Sequence, residues 1–600
     1  MKLASPSHLR FYPFLLSLLI VASLPAKPET QSAWSRPVLP ESTQVEMGGV
    51  WGAALARGEA RIGQDPYSER YLLADLNFDM NRSFTNYSGD ISGRYLELAS
   101  RSSPPRQPPP VTLSEVMHKI PLLQKPDGHF GADIDWNAPI DFNLPFTQAK
   151  MMPTMWGNGR ILLGLIAAYQ RFHSPDMLEA ARKLGDFYVN VAADRFCDPQ
   201  RVAEYRKSPG YAGAYVTCVY QGVAGLVQLY RVTHDDKYLK VAERMADFHE
   251  EFDTLPVEHS HGSISVHEAL LMLYEDTSDV KYLRRVVNRW DAEVSGGYVN
   301  PAGGVLEKLQ VSFNRDEGCA ESDWLRLNLL LWRDTGQTRY LDMAERLLWT
   351  EYLANQWADG GYGHRFITTD AQGAYGFGLR SEEALWCCNF HGPLGLLELK
   401  SYLAAGSPAG IYYNFPVDFT SPVTVGNQAW TVSSKSLPST EGAPVRCEVA
   451  LTGNAAAEAG VPLWVRVPGW ADNVAITSNG QPVAAVLADG YLRTPPIAAG
   501  DKLEIVYHGQ PRLETRLGAR VPIPSKLPAS LDQVVLRDGP EILLNTSSGE
   551  IQHITLGVRA DGTLQLPPDV SEKLAPWVKV ASAPDAPRAF VFNATLEPVN

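Results

Sequence analysis

One degenerate phrase recurs four times along the first two thirds of the chain, and it restricts the fold more than any other feature. It reads SPDMLEAARKLGDFY from Ser174, HDDKYLKVAERMADFH from His234, SDVKYLRRVVNRW from Ser278 and GQTRYLDMAERLLWTEY from Gly336. In each copy an acidic residue, Ser or Thr precedes a helix whose apolar residues return at three- and four-residue intervals. A short polar turn separates it from the end of the helix before. This is an array of helical hairpins. About twelve candidate helices fit between Tyr67 and Ala404, and twelve in paired inner and outer layers close into an (α/α)6 toroid. An open solenoid carries the same repeats. The long connections at 256–261, 296–317 and 359–386 favour a toroid with one elaborated mouth.

Outside the repeats the texture changes twice. The run RSSPPRQPPP at 101–110 reads as an extended loop or linker inside the helical region. After Gly410 the chain turns to short β-branched and aromatic stretches (GIYYNFPV, CEVALT, VPLWVRVP, KLEIVYH) separated by Gly, Pro, Asn and Asp, the pattern of β-sandwiches. The domains expected are a helical one at 27–408, a β-sandwich at 409–515 and a C-terminal β-rich module at 516–600. Residues 1–26 read as a signal peptide, with Lys2 and Arg10 flanking the apolar run 11–24 and Ala26 as a cleavage point. The mature chain is therefore expected to be periplasmic or secreted. No later stretch is long and apolar enough to span a bilayer, and no cysteine follows the apolar run closely enough for a lipid anchor. A formal net charge of -14 argues against a nucleic-acid partner, whose phosphates ask for basic patches. The 14 Trp and 25 Tyr suit surfaces that stack on sugars, and they suit a large core equally well.

Six cysteines remain to be placed. The vicinal pair Cys387-Cys388 is a poor disulfide, because bridging neighbours strains the intervening peptide. Taken with Glu317-Gly318-Cys319 it supplies three thiols and a carboxylate, a donor set that suits tetrahedral zinc. Zinc holds such thiols deprotonated, and a thiolate held ready is a nucleophile as well as a ligand. The alternatives are a closed structural zinc site that ties a loop to a helix, or a bridge from Cys319 to one member of the pair. Cys197 and Cys218 read as a disulfide in an oxidising compartment or as two buried thiols, and Cys447 as a small core residue of a strand.

Several motifs occur in a fixed order: His259 ahead of Tyr274-Glu275, Gly296-Gly297, Glu317-x-Cys319-Ala320, Cys387-Cys388, GIYYNFP from Gly410, VPLWVRVPGWA from Val461 and VVLRDGPEILL from Val534. On these the chain resembles glycoside hydrolase family 127, the group that contains β-L-arabinofuranosidases, and is similar to a divergent member of it. The resemblance implies an (α/α)6 catalytic toroid followed by β-sandwich domains. It implies Glu317, Cys319, Cys387 and Cys388 as zinc ligands and Cys387 as the nucleophile. Glu307 in GGVLEKL is the best match to the family's general acid/base; Glu321, the alternative, is expected to point along the mouth or into solvent. Gln221 and Asn158 stand where the family pattern favours histidines that contact sugar, so the reaction class transfers better than the sugar does. His259, Trp156 and Trp386 are further candidate substrate contacts. His364 is expected at the substrate or, with His391, behind a ligand; His261 and His267 are ambiguous.

The resulting expectation is an exported, zinc-thiolate, retaining glycosidase that releases a terminal furanosyl residue, β-L-arabinofuranose or a relative, from plant-type glycans. Its partner is a carbohydrate, and a β-sandwich tail of this kind often leaves a surface for a second copy. Two other readings stand beside it. One is a uronyl hydrolase of similar toroid fold, which asks for an acidic pair on mouth loops and no thiol cluster. The other is a non-catalytic carbohydrate-binding protein whose Cys3Glu zinc is structural.

Overall fold

Amphipathic helices that each bury one stripe need two layers to do so, and the repeats provide them. The computed structural model describes residues 34–600 except 80–81, 103–112, 143, 146–147, 209–217, 311–313, 370–374, 439–443, 454–459, 547–552, 581–587 and 600. Residues 36–600 form one unit. The signal-peptide reading at 1–26 and most of the proline-rich run lie outside the described residues.

Among the described residues twelve helices build the two layers: α1 (Gly49–Arg61), α2 (Asp90–Arg101), α3 (Leu113–Lys119), α4 (Met151–Phe172), α5 (Pro175–Phe187), α6 (Gly222–Thr233), α7 (Asp236–His249), α8 (Ser260–Thr277), α9 (Val280–Ser295), α10 (Gly318–Thr335), α11 (Thr338–Leu347) and α12 (Cys388–Tyr402). The even-numbered helices pack in sequence, and α12 returns against α2, so the inner ring closes. Each odd-numbered helix lies outside, α1 against α12 and the rest against the helix before them. Closure decides between toroid and solenoid.

The repeated phrase has a physical content. Each of α6, α8 and α10 ends on a Thr (233, 277, 335) whose hydroxyl donates to the carbonyl four residues back at 2.6–2.7 Å. His234, Ser278 and Gly336 follow with φ of 54°, 60° and 74°, the left-handed turn that stops a helix. Asp235 and Asp279 then cap the next helix by accepting from Lys237 and Lys281 N–H. The following Lys-Tyr or Arg-Tyr reaches an aspartate of the previous outer helix: Lys237 and Tyr238 to Asp186, Lys281 and Tyr282 to Asp247, Arg339 to Asp291. The repeat thus carries its own side-to-side fasteners.

Glycines bring the inner helices close. A Cβ on Gly93 of α2 would lie 2.5 Å from the backbone of Arg160 and Ile161 in α4, and one on Gly164 would meet Gly93 O at 2.3 Å. These helices touch backbone to backbone.

Beyond Tyr402 a seven-stranded and a five-stranded sheet form the sandwich, mostly antiparallel, with alternating burial along Phe419–Val425, Gln428–Ser436 and Lys502–His508. Strand Glu46–Met47 from ahead of α1 joins the seven-stranded sheet. The VPLWVRVPGWA segment seats this sandwich on the toroid: Arg466 pairs with Asp342 at 2.9 Å and Glu345 at 2.8 Å, and Trp470 Nε1 donates to Glu345 at 2.8 Å. A third sheet at 512–598 has its own apolar core. The segment 359–386, expected as a loop, contains the hairpin Gly363–Thr369 and Tyr375–Glu383. The C-terminal module braces it: Arg588–Ala589 adds a third strand, and Trp577 and Phe590 pack on Phe377.

Candidate metal-thiolate active site

Two helix N-termini meet at the mouth. Glu317 is the residue capping α10, Cys319 stands in its first turn, Cys387 precedes α12 and Cys388 begins it. One donor atom from each of the four lies within 4.8 Å of the others. The partial positive charge of the two helix ends favours thiolates and a carboxylate there. Gly318 permits the approach, because a Cβ on it would lie 2.8 Å from Asn355 Oδ1 and 3.3 Å from Cys388 Cβ. Cys319 and Cys388 are fully buried, Glu317 is 4% and Cys387 8% exposed. Of the three cysteines Cys387 is the least buried.

The sulfur of Cys388 lies 3.4 Å from that of Cys319 and 3.6 Å from that of Cys387, too far for a bond. Tetrahedral zinc at thiolate distances sets sulfurs about 3.8 Å apart, so the spacing suits one ion. All six cysteines are free and buried, Cys197 and Cys218 included, and Cys447 lies in the core of strand Val445–Gly453. Hydrogen bonds from Cys319 and Cys388 outweigh burial and bring the Cys387 thiol down to about 6. Burial pushes the other two up. Burial also raises Glu317, but His259 opposite overcomes it and holds the carboxylate at about 2. Glu317 Oε2 is buried with no hydrogen bond, His259 Nε2 standing 3.5 Å away. A buried, ionised carboxylate with a free oxygen beside three thiols is a donor set that fits zinc.

A second group, His261, Asp323 and His391, also has mutually close donor atoms. It does not suit a cation. Asp323 takes a hydrogen bond from each imidazole, and His261 Nε2 faces Arg94 at 2.8 Å and Arg160 at 3.3 Å.

Glu307 stands on the mouth segment that pairs with 315–316, its carbonyl accepting from Ser260 N at 2.8 Å beside His259. Its carboxylate is partly exposed and takes Arg315 Nε at 2.7 Å. Glu321 corrects the expectation made for it. It is 1% exposed, accepts from Val305 N at 3.1 Å, and faces buried Glu351 across Gly304, whose Cβ would lie 2.6 Å and 2.1 Å from the two carboxyls. It points into the protein.

His259 caps α8, accepting from Gly262 N at Nδ1, so its Nε2 carries the proton aimed at Glu317. Trp156 packs edge-on to His261 and tilted against His259, with centroids 5.2 and 5.5 Å away, and donates to Asp90 at 2.9 Å. It is 5% exposed and forms a wall of the site. His364, expected at the substrate, is buried on the hairpin and bonds the Asp316 carbonyl at 2.9 Å, anchoring the residue before Glu317. His267 pairs with Asp253 away from the cluster.

Asn158 and Gln221 are corrected too. Asn158 is fully buried; its amide accepts from Phe130 N and donates towards Ser88 O, Phe130 O and Thr154 O at 2.9–3.1 Å. It clamps backbone and offers a sugar nothing. Gln221 donates to Gly262 O at 3.0 Å, accepts from Ser265, and lines a cavity of about 870 Å³ along the toroid axis behind the site. Arginines and glutamates of the inner helices line that cavity, among them Arg101, Arg326, Glu268 and Glu398.

The sequence reading missed the wall supplied by Tyr71, Phe84 and Tyr87. Tyr71 and Tyr87 feel the charge of Cys387. Phe84, 36% exposed with φ 60°, sets its ring 5.2 Å from that of half-buried Trp386. Strain at an exposed aromatic beside a site is the one local signal that marks it.

Comparison with known proteins agrees with the fold. Residues 206–295 match the β-L-arabinofuranosidase GH127 catalytic domain, and residues 426–507 the GH127 middle domain. A solved GH127 β-arabinofuranosidase is similar at 16% identity and TM-score 0.66, covering 94% of this chain and 99% of that one. Ara127N-Se, a GH127 β-L-arabinofuranosidase from Geobacillus stearothermophilus T6, is similar at 14% identity and TM-score 0.66, covering 92% and 100%. A structure described as a glycoside hydrolase follows at 17% identity and TM-score 0.60, covering 89% and 87%. No curated protein matches the chain. The family resemblance and the toroid-plus-sandwich fold are borne out.

Proposed function

Taking the chain as a divergent relative of glycoside hydrolase family 127, we propose that it is an exported retaining glycosidase that removes a terminal furanosyl residue, β-L-arabinofuranose or a related sugar, from plant-type glycans. The observation that carries this is the convergence of Glu317, Cys319, Cys387 and Cys388 within 4.8 Å at the mouth, with Cys387 the least buried of the three cysteines. Zinc held by these four residues supplies a thiolate that stays deprotonated at neutral pH and leaves readily from carbon.

Cys387 Sγ attacks the anomeric carbon and forms the C–S bond as the glycosidic C–O bond breaks. Glu307 gives its proton to the departing oxygen. In the second half Glu307 takes a proton from water, the water oxygen bonds to the same carbon, and the C–S bond breaks with its electrons returning to sulfur. Two inversions give net retention, with a thiolate in place of the usual second carboxylate. Trp156 and His259 wall the pocket, and Trp386 and Phe84 offer faces to a sugar at its rim.

The test is hydrolysis of a panel of p-nitrophenyl furanosides and pyranosides by zinc-loaded enzyme and by Cys387→Ser, with metal content measured for both. Turnover of a furanoside that disappears in the variant supports the reading. Full turnover in a metal-replete Cys387→Ser refutes the thiolate nucleophile, and sugar binding without turnover on any substrate points to a carbohydrate-binding protein.

A further inference from the structure

Beneath the sulfur cluster a buried guanidinium is held from three sides. Arg94 of α2 is 1% exposed. Its Nε donates to Asp90 Oδ1 at 2.8 Å, its Nη2 lies 2.8 Å from His261 Nε2, and its Nη1 lies 3.9 Å from Cys319 Sγ. A guanidinium has donors only, so His261 Nε2 must accept. The imidazole proton then sits on Nδ1 and is donated to Asp323. Asp323 also receives His391, which rides on α12 three residues after Cys388, while Asp323 rides on α10 four residues after Cys319. The tautomer of His261 is therefore set by the helices that carry the thiols. A neutral, correctly turned His261 and the carboxylate of Asp90 together fix the plane of Arg94.

We propose that Arg94 is a positioning residue of the metal centre: its Nη1–H donates to the sulfur of Cys319 and commits that cysteine to holding the metal, leaving Cys387 as the reactive thiolate. The inference rests on the zinc-thiolate reading above. Three thiolates and a carboxylate around a dication leave a net charge of about -2 in a buried site, which a fixed cation offsets. An N–H···S hydrogen bond draws density from the sulfur that accepts it and makes it a poorer nucleophile. Among the described residues no guanidinium hydrogen bond reaches Cys387. The arrangement thus distinguishes three chemically identical side chains.

The test uses the full chain loaded with cobalt, whose thiolate-to-metal charge-transfer band reports electron density on sulfur, together with zinc affinity by chelator competition. Arg94→Met is expected to move the band to lower energy and to weaken zinc binding about 10–100-fold. Arg160→Met, which loses a contact to His261 and none to a thiol, is expected to leave the band in place. A folded Arg94→Met with the wild-type band and affinity overturns the proposal. If that variant does not fold, Arg94→Lys carries the test, since a lysine lacks the fork that spans His261 and Cys319. The same shift is expected, and an unshifted band overturns the inference. A wild-type protein that shows no band and takes up no cobalt refutes the metal reading itself, a separate failure.

Discussion

The Glu321–Glu351 pair behind the mouth makes a prediction whose size follows from its geometry. Both carboxyls are at most 1% exposed. Glu351 Oε2 accepts from Asn300 Nδ2 at 2.6 Å, Glu321 Oε1 accepts from Val305 N, and one oxygen of each has no partner. Burial, then the charge of Asp316, raises Glu351 to about 8, and burial raises Glu321 as well. The folded protein therefore holds a proton on Glu351 that the unfolded chain releases near pH 4.5. Because the folded state binds more protons in that window, the stability Glu351 contributes falls as pH rises from about 4.5 towards 8. At about 1.4 kcal/mol per pH unit, the loss reaches about 3 kcal/mol by pH 7. Glu351→Gln keeps an oxygen for Asn300, offers an amide to Glu321 and has no proton to lose. Urea unfolding of the toroid should show variant and wild type alike near pH 4.5, with the variant more stable by about 3 kcal/mol at pH 7. Stability curves that run parallel from pH 4.5 to pH 8 would show that Glu351 does not keep its proton on folding.

Three further outcomes are expected. Glu307→Gln should lower kcat about 10²–10⁴-fold on substrates with a sugar leaving group and much less with an activated phenol, zinc content unchanged; an equal loss on both would remove Glu307 from the acid role. Asn158→Ala strands the Phe130 N–H and three carbonyls and should cost about 2–4 kcal/mol in denaturant unfolding while KM of the folded enzyme stays put, whereas a KM effect without a stability loss would return Asn158 to the substrate. Gly93→Ala drives a methyl into the α4 backbone at 2.5 Å and should cost about 2 kcal/mol or more, with a metal affinity lowered through the displaced neighbour Arg94; a neutral variant would mean that α2 and α4 do not touch as described.

The helical repeats, the change to strands after the last of them, and the four donors of the candidate metal site were legible in the sequence, because each is a local pattern, whereas α1 (Gly49–Arg61) lies ahead of Tyr67, where the helical region was expected to begin. A helical stripe repeats every three or four residues, a capping Thr and Asp sit within one turn, and Glu-x-Cys and Cys-Cys carry their chemistry in their spacing. Second-line residues were not legible. Asn158 and Gln221 look like sugar contacts in the chain and are backbone clamps in the fold, since exposure depends on neighbours that sequence spacing does not reveal. Glu321 turned inward for the same reason. The paired strands Gly363–Thr369 and Tyr375–Glu383 alternate too weakly to be read and are stabilised by strand Arg588–Ala589 of the C-terminal module.

By itself the sequence determined periodicities, caps and the kind of atoms available to a metal, quantities settled within a few residues by backbone geometry and side-chain chemistry. Only the tertiary structure decided which cysteine is least buried, which carboxylates keep their protons, and that a guanidinium lies under Cys319 from 225 positions away. Those are properties of burial and of charges brought together, and they come into being when the ring of helices closes.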